Sequence, residues 1–182
     1  GNFTKLIVLP ILKDSNAKLV GISSAKGLSG SISGKKFGFD YSTTDYQELL
    51  KDENINTIFI TTRHNNHAQL IIESLEAGKN VFVEKPLAID MKQLAQVVKV
   101  CNQLASEDKM PKLMVGFNRR FSPFIKDIFT KTKGRSSGLA MNMTINAGVL
   151  PKDLWVHDPK VGGGRIIGEG CHFIDTMQFL SS

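Results

Sequence analysis

Thr57-Ile58-Phe59-Ile60-Thr61-Thr62-Arg63-His64-Asn65-Asn66-His67 runs through a helical pattern to Gly78 and then into Val81-Phe82-Val83-Glu84-Lys85-Pro86. The two short apolar runs each read as a brief buried strand, because they show no polar alternation. Between them Ala68, Ile71, Ile72 and Leu75 fall at helical spacing, with Asn65 or Asn66 as a cap and Gly78 as a stop. Alternating strands and helices of this kind argue for a parallel sheet covered on both faces.

The same pattern extends outward. Leu19–Ile22 and Leu113–Phe117 read as further buried strands, and Asp90 caps a helix whose apolar face is Leu94, Val97, Val98, Cys101 and Leu104 or Ala105. Gly1–Lys13 reads as a helix kinked or shortened by Pro10, with no strand before it. In a doubly wound sheet the strand before the first helix is central, so Leu19–Ile22 and Thr57–Ile60 are expected to lack their shared neighbour.

After about residue 118 the pattern changes. A helix over Ser122–Thr132, a turn at Gly134–Gly138 and a half-exposed strand at Leu139–Ala147 precede Gly162–Gly164 and a final helix ending at Leu180. The expected division is an α/β dinucleotide-binding domain over 1–118 and the beginning of an α+β substrate domain over 119–182.

Composition narrows the function classes. The net charge is +6, but the lysines are scattered and no nucleic-acid-reading motif accompanies them, which argues against a nucleic-acid partner. No apolar run reaches the length of a membrane span. Cys101 and Cys171 lie far apart and form no metal-type pair, so a reducing cytoplasm is the expected home.

The charged and polar residues gather at strand ends, where parallel sheets bind ligands. Gly1-Asn2-Phe3 opens a helix, as the second glycine of a phosphate loop would, and an ordinary chain terminus reads equally from the same residues. After Leu19–Ile22 stand Ser23, Ser24, Ala25 and Lys26, with no acid to bind an NAD ribose and repel a 2′-phosphate. That set suits NADP or is an ordinary polar turn. His64 and His67 are three apart without an adjoining carboxylate or cysteine, so no metal is expected. Glu84-Lys85-Pro86 puts two charges at the mouth of the sheet, and the proline admits a cis bond. Lys85 there can hydrogen-bond a substrate hydroxyl and shuttle its proton; taken alone the three residues are also a solvated charged turn.

The order strand, Thr61–His67, helix ending Ala77-Gly78-Lys79, then Val-Phe-Val-Glu-Lys-Pro-Leu-Ala resembles the Gfo/Idh/MocA oxidoreductases. Val115-Gly116-Phe117-Asn118-Arg119-Arg120-Phe121 and Gly163–Asp175 fit the same resemblance. It implies a Rossmann domain using NAD or NADP, followed by a substrate domain, and oxidation of a secondary alcohol on a sugar or nucleotide sugar. It implies that Lys85 and His172 are catalytic, with His172 taking the hydroxyl proton. It implies that Gly1, Asn2, Phe3, Ser23, Ser24, Lys26, Thr61, Thr62, His67 and Glu84 lie around the cofactor, and it leaves room for a homo-oligomer. Two departures stand out: Gly168 occupies the place of an aspartate four residues before the histidine, so that either Glu169 substitutes or Lys85 and His172 act alone, and Thr62-Arg63-His64 replaces Thr-Pro-Asn. Gly168 also supports a rival reading, a dinucleotide-binding sensor without turnover.

Overall fold

Every strand of the computed structural model, which describes residues 1–182, pairs in parallel. β1 (Gly21–Ser23) lies beside β2 (Tyr41–Thr43), while β3 (Thr57–Ile60), β4 (Asn80–Val83) and β5 (Leu113–Val115) form a second sheet in that order. The connections are α2 (Leu28–Phe37), α3 (Tyr46–Lys51), α4 (His67–Glu76) and α5 (Met91–Ser106). This is a Rossmann-like arrangement.

Register explains where the core forms. Val81 lies between Ile58 and Leu113, and Val83 between Ile60 and Val115, so these side chains share one face. Against them pack Ala68, Ile71 and Leu75 of α4 and Val97 of α5. Asp90 caps α5 by accepting the Gln93 N–H at 2.8 Å, as the sequence leads one to expect. Asn66 occupies the corresponding position of α4 but its side chain makes no capping bond.

The opposite face differs from the expectation of cover on both sides. Phe59 and Phe82 stack there with centroids 5.0 Å apart, and Phe59 and Met114 remain exposed. No helix of this chain closes that face.

The first and last sequence-read strands also shift. The first runs over Gly21–Ser23 instead of starting at Leu19, and the last ends at Val115 instead of Phe117. β1 and β3 each have a single strand neighbour, and between them opens a cavity of about 1070 Å³ lined in part by Leu9, Val20, Ile22, Ile58 and Ile60. The two strands therefore lack a shared neighbour, as anticipated.

The amino-terminal helix begins as a π-helical turn over Thr4–Val8, where the Leu9 N–H reaches the Thr4 carbonyl, and continues as α1 (Leu9–Lys13). Pro10 sits in the first turn of α1, and the widened turn before it absorbs the missing donor.

Beyond β5, Ser122 caps α6 (Pro123–Thr132) by accepting the Ile125 N–H. A π-helical turn over Ile166–Gly170 leads into α7 (Cys171–Ser181), which stacks Phe179 on Phe129 of α6. The expected strand at Leu139–Ala147 is absent: these residues take no regular structure. A strand needs a neighbour to satisfy its backbone, and none of the five strands lies beside this segment. No helix is long and apolar enough to cross a membrane.

Candidate functional site

The turn after β4 meets the approach to α7. The Lys85–Pro86 peptide is cis, and Lys85 Nζ donates to the Gly168 carbonyl at 2.5 Å. One helical turn beyond Gly168 stands His172. Its Nδ1 is buried and has no hydrogen-bond partner. Burial above all, then the positive charges of Lys85 and Arg119, push its pKa down to about 4 against the opposing pull of Asp175. The imidazole is therefore neutral near pH 7. Phe117 stands edge-on to it at 6.2 Å.

Glu84 does not pair with its neighbour. Its half-buried carboxyl is pushed up by desolvation, which Lys85 partly offsets, and it packs against Gly116, where a Cβ would lie 3.1 Å from Oε1. Glu169, beside Gly168, is paired with a neighbour on its own turn. Its carboxylate is held by Arg165 Nε and Nη2 at 3.1 and 3.0 Å. Asp175 is likewise engaged in a two-pronged pair with Arg120. At Gly168 itself a Cβ would come within 3.1 Å of His64 Cε1 and 3.2 Å of Val156 Cγ2, so a side chain there would crowd both neighbours.

The segment after β3 is tied to this turn from beneath. His67 is fully enclosed. Its Nδ1 lies 2.7 Å from the Pro86 carbonyl and its Nε2 lies 3.3 Å from that of Thr62. With both nitrogens facing main-chain oxygens, the ring joins the Thr61–Thr62 loop to the Lys85–Pro86 turn. His64 reaches the other way, with Nδ1 2.8 Å from the Gly162 carbonyl and Trp155 edge-on at 4.8 Å. Sequence reasoning missed these contacts with Trp155, Gly162 and Gly168, because they join segments roughly a hundred residues apart. No group of three His, Cys, Asp or Glu is placed to hold a metal ion.

Gly1, Ser23, Ser24, Thr61 and Thr62 all line the cavity between the two sheets. Asn2, Phe3 and Lys26 are exposed and lie outside that lining, as do His67, Glu84, Lys85 and His172. The lining includes Lys5 and Lys18 but no Asp or Glu, and it contains the buried, unpartnered Oδ1 of Asn65. The hydroxyls of Ser23, Ser24, Thr61 and Thr62 and the unsatisfied amide of Asn65, at and beyond the carboxyl ends of β1 and β3, fit the ribose of a dinucleotide.

Residues 1–117 match a family described as "Oxidoreductase family, NAD-binding Rossmann fold". The inositol 2-dehydrogenase of Rhizobium meliloti is 30% identical over 180 residues, covering 99% of this chain and 52% of the relative. The levoglucosan dehydrogenase of Pseudarthrobacter phenanthrenivorans is 34% identical over 160 residues, covering 80% of this chain and 38% of the relative. A solved levoglucosan dehydrogenase in complex with NADH and levoglucosan superposes with a TM-score of 0.74 at 23% identity, covering 99% of this chain and 51% of that one. The chain thus spans about half the length of the curated relatives it matches.

Proposed function

The chain belongs to the Gfo/Idh/MocA oxidoreductase family, whose fold binds NAD, and from that premise we propose that it supplies the cofactor site and proton-handling residues of an NAD(P)-dependent dehydrogenase. The substrate is a secondary alcohol on a sugar, cyclic polyol or nucleotide sugar. Residues 1–118 form the cofactor domain in this reading, and 119–182 begin the substrate domain.

The observation that carries the proposal is the bond from Lys85 Nζ to the Gly168 carbonyl. It brings the Glu84-Lys85-Pro86 turn to the foot of the helix that bears His172. Lys85 hydrogen-bonds the reacting hydroxyl, and the neutral imidazole of His172 takes its proton. The bound nicotinamide supplies hydride acceptance and donation. Thr61, Thr62 and Asn65 hold its ribose side, Ser23 and Ser24 its adenosine side, and Gly1 borders the phosphates. The absence of an acid beside Ser23 and Ser24 supports acceptance of NADP as well as NAD. The relatives named for inositol and levoglucosan support a ring hydroxyl as the reacting group.

The test follows nicotinamide fluorescence while the protein is offered NAD, NADP and a panel of inositols, anhydrosugars and sugar nucleotides. Reduction of the cofactor by at least one ring alcohol is expected. Tight cofactor binding with no reduction on any member would overturn the proposal in favour of a sensor.

A further inference from the structure

His64 is 8% exposed, although it lies in the short turn between β3 and α4. Its ring is held from several directions. Nδ1 faces the Gly162 carbonyl at 2.8 Å, which requires the proton to sit on Nδ1. The Gly162 amide donates to the Asp158 carbonyl at 2.8 Å, so the acceptor is itself fixed in a turn. Trp155 covers one edge of the imidazole, and Arg63 lies over the Trp155 ring at 5.6 Å.

What this anchored ring touches is Gly168. A Cβ at that position would come within 3.1 Å of His64 Cε1, a contact tighter than packed atoms normally adopt. The His64 ring thus occupies the space beside the 168 Cα that a side chain would need, and the carbonyl of that residue receives Lys85 Nζ. A main-chain carbonyl cannot rotate away as a side-chain carboxylate can, provided the peptide stays in place.

We propose that His64 is a positioning residue for Lys85: its ring, anchored on Gly162, fixes Gly168 so that the 168 carbonyl holds the lysine ammonium at the site. This rests on the reading that Lys85 handles the substrate proton, but its test does not depend on turnover. The half-buried, hydrogen-bonded amine reacts slowly with an acylating reagent while it is held.

The experiment is competitive trace labelling of the folded chain with acetic anhydride, read by peptide mass spectrometry. Exposed Lys109 and Lys131 serve as standards, and buried Lys79 reports general loosening. In His64→Ala the labelling of Lys85 relative to the standards rises at least about tenfold, as a lost charge-assisted hydrogen bond implies. Gly168→Ala, which displaces the ring, gives the same direction. His64→Asn, whose amide can still donate to the Gly162 carbonyl, stays near wild type. An unchanged Lys85 in His64→Ala, a rise shared with Lys79, or an Asn variant that behaves as the Ala variant would overturn the proposal. Failure of the functional reading shows separately, as unaltered turnover in Lys85→Ala.

Discussion

The imidazole of His172 loses most of its affinity for a proton on folding, from an ordinary 6.5 to about 4. Below pH 6.5 the unfolded chain takes up a proton that the folded chain refuses until about pH 4, so stability is lost as pH falls across that window. Above it the group contributes no slope. His64 and His67 are lowered by burial and act with the same sign. Urea midpoints measured from neutral pH downward should fall less steeply for His172→Asn than for the wild type. Parallel slopes would show that the ring is not desolvated. The role proposed for His172 rests in the sequence on its motif alone, since a lone histidine in an amphipathic helix carries no signal of its own. His64 was less legible still: its partners Trp155, Gly162 and Gly168 are distant in sequence, and a loop histidine reads as solvent-facing.

Among the elements, β3, α4, β4 and α5 were legible because apolar period and stop signals agree: Ile71 and Leu75 at helical spacing, Gly78 at positive φ, Asp90 as a true cap. α2 was not. Its sequence, Leu28–Phe37, is rich in Gly and Ser, which are poor helix formers. The structure gives the reason for those residues: Gly30 and Gly34 let the helix lie directly on Ser24, Ile22 and Ser42, where a Cβ would approach to 3.1–3.5 Å. At Leu139–Ala147 the alternation misled, because pattern alone cannot supply a neighbouring strand. The tight cluster of seven buried residues lies wholly in β3, β4, α4 and α5. The β1–β2 layer should therefore open more easily. Hydrogen exchange should show amides of Gly21–Ser23 and Tyr41–Thr43 exchanging faster than those of Thr57–Ile60 and Asn80–Val83. Equal protection in both sheets would contradict this.

At the scale of the whole molecule, the sheet is split where β1 and β3 face each other across a cavity, and the Phe59–Phe82–Met114 face stands open. The split followed from an argument about topology, since a doubly wound sheet sets a further strand between those two. The join between the two parts of the chain did not, because it rests on contacts distant in sequence: Lys85 to Gly168, His64 to Gly162 and the Asn65 amide to the Val161 carbonyl. Those contacts make one site out of a turn and a helix foot, and Lys85 with His172 is the pair on which the functional account depends. The most direct test is the turnover of Lys85→Ala, His172→Ala and the double variant on a ring alcohol that reduces the cofactor. Each single change should lower kcat by at least about a hundredfold, and the double should fall little further, as for groups acting on one proton. Wild-type turnover in either single variant, or losses that multiply in the double, would contradict the account.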